Sequence, residues 1–120
     1  MLEGRVSPYG EPIVSIQLVL RAQPTTFPAV IDTGFNGYLS VPRRLLTKSR
    51  WKSIGTEKFE IATGDIVQQA IYLGDVIFDG RRGPVYAVAT DAEDLLIGTK
   101  LLRNKMLIVD FRTRRVTIRP

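Results

Sequence analysis

Period-two alternation dominates the pattern of apolar and polar positions along this chain. "PIVSIQLVL", Pro12 to Leu20, puts Val14, Ile16, Leu18 and Leu20 on one face, as a half-buried strand requires. Pro24 and the threonines beside it read as a turn, with a short buried strand in "FPAVI", Phe27 to Ile31, after it. Gly34 and Gly37 stop that strand, and "YLSV", Tyr38 to Val41, is its sequel. Pro42 suits the first turn of a helix, so "RRLLTKSRW", Arg43 to Trp51, is predicted helical. From Glu57 to Gly80 the pattern is that of a hairpin and its continuation. Gly64 is the candidate tip, with Phe59 and Ile61 before it and Ile66 after. "GPVYAVA", Gly83 to Ala89, is a further strand. "DLLIGTKLLRNK", Asp94 to Lys105, begins as a buried strand, ends it at Gly98, and turns to helix spacing at Leu101 and Leu102. "MLIVDFRTRRVTIRP" reads as two strands around a turn near Arg112 to Arg114. Seven or more short strands with two short helices predict a mostly-β barrel or sandwich.

Bulk numbers narrow this picture. A length of 120 residues suits one compact domain over residues 1–120, with no repeats, linkers or low-complexity segments. There is no cysteine and no histidine. Disulfides are therefore impossible, the usual zinc ligands are missing, no metal or cofactor is expected, and Ser-His or Cys-His catalysis is excluded within the chain. The net charge of +5 comes from scattered basic residues, with pairs at Arg43-Arg44, Arg81-Arg82 and Arg114-Arg115 but no long basic run. "MLEGRVSPYG" does not read as a signal peptide, and no apolar stretch approaches the roughly 20 residues of a membrane helix. A soluble cytoplasmic protein, with no membrane or nucleic-acid partner, is the expectation.

The chemistry concentrates in "AVIDTGFNGYLSVP", Ala29 to Pro42, whose single acidic residue, Asp32, sits in apolar company. An isolated carboxylate there is costly to desolvate. Either it is a turn aspartate bonded to its own backbone or it does chemistry. Asp91, Glu93 and Asp94 read as a solvated loop, and Asp110 as a turn or cap residue.

At Asp32-Thr33-Gly34 the chain resembles the retropepsin-like aspartic peptidases, in particular a bacterial single-domain branch. The resemblance rests on an ordered set: "AVIDTG", "FNGYLSVP", "LLIGTKLL" and the closing "MLIVDFRTRRVTIRP". It implies a closed or partly open barrel with one or two short helices. It also implies an aspartic endopeptidase whose two carboxylates share one proton, one acting as base on a water and the other as acid toward a peptide carbonyl. Like charges so close cannot both ionise easily, which splits their pKa values, and aspartic peptidases are themselves the best-known case of that splitting. No second Asp-Thr/Ser-Gly exists in the chain, so the resemblance implies a homodimer contributing Asp32 twice. Thr33 would hold the loop through its hydroxyl, and Gly34 would let backbone approach the carboxylate. Phe35, Asn36, Ile97 and Gly98 would help bind a peptide or protein substrate. A flap over Phe59 to Gln68 would bring Ile61, Ala62, Thr63 and Gly64 to the substrate as an added strand. The C-terminal residues Val116 to Pro120 would take an interface role.

Phe35 and Asn36 depart from the small residue and the acid usual in retroviral members, and Thr99 stands where those have an arginine. Both halves of an ion pair are thus replaced together. Two other functions compete: a dimeric peptide-binding module with little turnover, and a small basic barrel binding nucleic acid. The aromatics are dispersed and do not interleave with basic residues, which weighs against the latter.

Overall fold

The computed structural model describes residues 1–120 and contains ten strands and one helical turn. They are β1 (Leu2–Val6), β2 (Pro12–Leu20), β3 (Gln23–Ile31), β4 (Leu39–Pro42), α1 (Arg43–Leu46), β5 (Lys52–Glu60), β6 (Ile66–Phe78), β7 (Arg81–Thr90), β8 (Leu96–Ile97), β9 (Met106–Asp110) and β10 (Arg115–Arg119). The sheet order is β5-β6-β7-β4-β8-β3-β2-β1-β10-β9, and a further pairing of β6 with β2 closes six of these strands into a barrel. Alternation behaves as expected: Val14, Ile16 and Leu18 are buried in a core they share with Ile31, Leu39, Val41 and Ile97.

The turn expected at Pro24 lies instead at Arg21 and Ala22, both left-handed, as a two-residue hairpin demands. Pro24 and Pro28 sit inside β3, opposite Val19 and Ser15. Counting from the closing pair Leu20–Gln23, both fall at non-hydrogen-bonded positions, so their missing N–H groups face the strand's outer edge. That edge is paired only at Val30 and Ile31, where β8 joins it. Proline therefore costs the ladder nothing here.

The helix over Arg43–Trp51 shrinks to one turn. The Ser49 hydroxyl donates to the Leu46 carbonyl at 2.7 Å, and the Trp51 N–H donates to Ser49 Oγ at 2.9 Å. Arg50 is left-handed, which swings the Trp51 indole inward to donate to the Val19 carbonyl at 2.8 Å. Burying the indole outweighs continuing a short helix. Likewise Gly98–Lys105 forms successive tight turns, with N–H groups of Leu101, Leu102 and Lys105 bonding three residues back, and no α-helix. The N-terminal residues, which carried no strand expectation, form β1 between β2 and β10. β10 has both neighbours inside the chain, and Val116 and Ile118 are buried. The open edge at this end of the sheet is β9, with Met106 and Ile108 exposed on it.

No helix is long and apolar enough to cross a membrane.

Candidate active site

Asp32 lies where β3 ends, on a loop braced by a two-residue strand. β8 is parallel to β3, pairing Val30 with Leu96 and Ile31 with Ile97. The same two residues pair antiparallel with β4, at Leu39–Ile97 and Ser40–Leu96. "LLIG" is apolar because it is wedged between both ends of the Asp32 loop, with Leu95, Ile97 and Gly98 buried. The Asp32 N–H donates to the Ile97 carbonyl at 2.9 Å, carrying the brace to the carboxylate-bearing residue itself.

The side chain is held locally. Asp32 Oδ1 accepts the Gly34 N–H at 2.9 Å, and the Phe35 N–H donates to the Asp32 carbonyl at 3.1 Å. A Cβ at Gly34 would stand 3.2 Å from Oδ1, so glycine does allow the close approach the sequence suggested. Asp32 is half-buried, no cation pairs with it, and its Oδ2 takes no hydrogen bond from the chain. Thr33 and Gly34 are exposed. The Thr33 hydroxyl bonds nothing within the chain, and the loop's bonds within one copy are made by backbone groups and by Asp32 Oδ1.

Three further backbone bonds stitch the loop to the segment after β8. The Thr99 N–H donates to the Phe35 carbonyl at 2.8 Å, the Gly98 N–H to the Tyr38 carbonyl at 2.9 Å and the Lys100 N–H to the Gly37 carbonyl at 3.1 Å. The Phe35 ring lies against Gly37 and Gly98: a Cβ on Gly37 would meet it at 2.6 Å, one on Gly98 at 2.7 Å. The loop and the segment after β8 are thus joined by a ring packed over two glycines and by a backbone seam, with Asn36 and Thr99 making no ion pair across it.

Beside this loop opens a cleft of about 390 Å³ lined by Gly34, Phe35, Asn36, Gly37, Tyr38, Glu57, Phe59, Glu60, Ile71, Tyr86, Val88 and Lys100. Phe35 and Asn36 line it. Ile97 and Gly98 do not: they are buried beneath the loop and support it. The hairpin of β5 and β6 turns through Ile61 to Asp65, where the Ile61 N–H donates to the Asp65 carbonyl at 2.9 Å and Gly64 has φ +88°. Ile61, Ala62, Thr63 and Gly64 are exposed at this tip and do not line the cleft, which is walled by the strand residues behind the tip, Glu57, Phe59, Glu60 and Ile71. A bulge between Ser53 and Gly55 interrupts the hairpin register and bends it. Glu57, Phe59, Ile71, Tyr86 and Val88 escape a sequence reading because alternation alone does not say which face of a hairpin meets a distant loop. The pairs Glu57–Gln69, Phe59–Val67 and Ile71–Val88 supply that information.

Neither a protein-family model nor a curated protein matches the sequence. Solved structures do match in shape. A retropepsin-like aspartic protease from Rickettsia conorii aligns over 98% of this chain and 88% of its own, at 13% identity and a TM-score of 0.67. The EIAV protease complexed with an inhibitor covers 78% of this chain and 86% of its own, at 12% identity and TM-score 0.63. The simian foamy virus (mac) protease covers 75% and 90%, at 20% identity and TM-score 0.58. With its closed six-strand barrel and a likeness spanning most of its length, this chain has the retropepsin-like fold.

Proposed function

We propose that residues 1–120 form one aspartic endopeptidase domain that works as a homodimer, with Asp32 supplied by each copy. The observation that carries this reading is the state of Asp32 on this fold. One oxygen is fixed by the Gly34 N–H, the other is free, and no second carboxylate from the same chain completes a pair in the loop. A lone, braced, half-buried carboxylate with one oxygen unpartnered is half of a two-carboxylate site. A second copy related by a two-fold axis supplies the other half with the same geometry. The open edge of β9, with Met106 and Ile108 exposed beside it, offers backbone groups that a second copy can pair.

In such a pair one carboxyl keeps its proton and the other is ionised. The ionised carboxylate takes a proton from water as the water oxygen bonds to the peptide carbonyl carbon. The protonated one gives its proton to the carbonyl oxygen. Collapse of the resulting diol breaks the C–N bond, and the amine nitrogen leaves with a proton returned from the dyad. The β5–β6 hairpin would close over the extended peptide and exclude water.

The test is peptide-library cleavage between pH 3 and 7, with Asp32→Asn alongside. The expected result is loss of all cleavage in a variant that remains folded and dimeric. An active Asp32→Asn protein overturns the assignment. Peptide binding without turnover in the parent chain would instead favour a binding module on the same fold.

A further inference from the structure

We infer that Glu57 selects substrates with a lysine or arginine side chain entering the cleft beside Asp32; the inference deepens the peptide-cleft reading and rests on it. The strand register aims the residue. Glu57 lies opposite Gln69, in the face shared by Phe59, Val67 and Ile71, and Ile71 lies opposite Val88 on the cleft wall. Glu57 therefore stands on the tip-side half of the hairpin and lines the same cleft as Tyr38, Tyr86 and Val88.

Three features suit that space to a long cationic side chain. Ile71 and Val88 are buried, giving the aliphatic stem an apolar wall. The Tyr38 and Tyr86 rings lie 6.3 Å apart and tilted by 57°, and Tyr86 is 53% exposed, so an aromatic face is open to a cation. Glu57 has no ion-pair partner within 4.0 Å, and neither does Glu60 at the rim. The local charge also opposes the whole: the chain carries +5, yet this cleft is lined by two carboxylates and one ammonium.

That ammonium is Lys100, and it is already engaged. Its Nζ sits 5.7 Å from the centre of the Tyr38 ring, and its backbone N–H is tied to Gly37. It thus covers the Tyr38 face and leaves the Tyr86 face and the Glu57 carboxylate to an incoming side chain. A hydrophobic residue of equal length would gain the same apolar wall and no charge contact. The discrimination is between charge states, not sizes.

The experiment compares peptides identical except for one residue flanking the scissile position: lysine, norleucine or glutamate. Binding is read by fluorescence anisotropy with the uncleaving Asp32→Asn protein, and turnover is read separately with the Asp32 protein. The expected preference for lysine over norleucine is about fivefold at low salt, the upper range for an accessible ion pair, shrinking as salt is added. Glu57→Gln should bring the ratio to about one, and Glu57→Lys should reverse it toward glutamate. A ratio unchanged by Glu57→Gln, or absent in the parent, overturns the inference. So does a uniform rise in affinity for all three peptides in Glu57→Gln, because that is the signature of Glu57 pairing with Lys100. Lysine-selective binding without turnover would sustain Glu57 as the selector while removing the peptidase reading. Turnover without lysine selectivity would do the opposite.

Discussion

Adding one methyl group at Gly98 should damage the Asp32 loop more than adding one at Gly37, for reasons the distances make explicit. A Cβ on Gly98 would stand 2.2 Å from the Gly37 carbonyl oxygen and 2.7 Å from the Phe35 ring. Ordinary contact begins near 3.4 Å, so the Gly37 carbonyl would have to retreat by about 1.2 Å. That movement takes the 3.1 Å bond from Lys100 N–H out of range. Overpacking costs about 2 kcal/mol and the lost bond about 1 kcal/mol, offset by roughly 0.7 kcal/mol from restricting the unfolded chain. The net loss of about 2 kcal/mol lowers Tm by about 8 °C for a chain of this length. At Gly37 the added carbon meets only the Phe35 ring, at 2.6 Å and 2.8 Å, and a ring can give way. The difference shows in double variants. Phe35→Ala should recover most of what Gly37→Ala loses, because it removes the only obstacle. It should recover little of the Gly98→Ala loss, because the backbone oxygen remains. Thermal unfolding by calorimetry reads the parent, the single variants and the two doubles. Equal rescue at both glycines, or a Gly98→Ala protein melting within about 2 °C of the parent, refutes the reasoning.

Other predictions use the same geometry. Dilution should reduce specific peptidase activity as the dimer dissociates, with a midpoint that matches the dissociation constant from sedimentation; activity independent of concentration would exclude a shared site. The Asp79 carboxyl is held below its ordinary range, first by the Lys105 ammonium at 3.2 Å and then by the Met1 amino group at 3.3 Å. A lowered folded value stabilises the chain above the unfolded carboxylate range near ~3.9 and ceases to do so as pH falls through the folded value. Asp79→Asn should therefore be less stable than the parent at pH 7, and the gap between them should close on acidification in urea titrations. Trp51→Phe leaves the Val19 carbonyl without the indole donor and should lose about 1–3 kcal/mol in the same assay. Gly74→Ala would push a carbon to 2.0 Å from that indole and should cost at least as much, without touching cleavage specificity.

How much of this was legible in the sequence differs by feature. β2, the β5–β6 hairpin with Gly64 at its tip, β7 and the closing β9–β10 hairpin all follow from alternation and turn residues, because period-two burial is a local signal. Asp110 is likewise the turn residue it resembled: its Oδ1 accepts the Arg112 N–H at 2.9 Å and the Thr113 N–H at 3.2 Å. The failures are places where a distant partner outvotes local preference. Pro24 looks like a turn until the hairpin register aims its nitrogen outward. Trp51 looks like the end of a helix until the Val19 carbonyl claims its indole. β1 carries no clear pattern because β2 and β10 supply its pairing.

The candidate site divides along the same line. Residue identity alone establishes that one carboxylate stands in an apolar run followed by Thr-Gly, that "LLIG" lies far downstream, and that no partner Asp-Thr-Gly exists. It takes the folded barrel to wedge Leu96 and Ile97 between β3 and β4, to close Phe35 over Gly37 and Gly98, and to bring Glu57 and Tyr86 to one cleft. Those arrangements depend on strand register and on contacts between residues some 30 to 65 positions apart. Pairing over such separations is set by the packing of the whole barrel, which no local stretch of chain encodes alone.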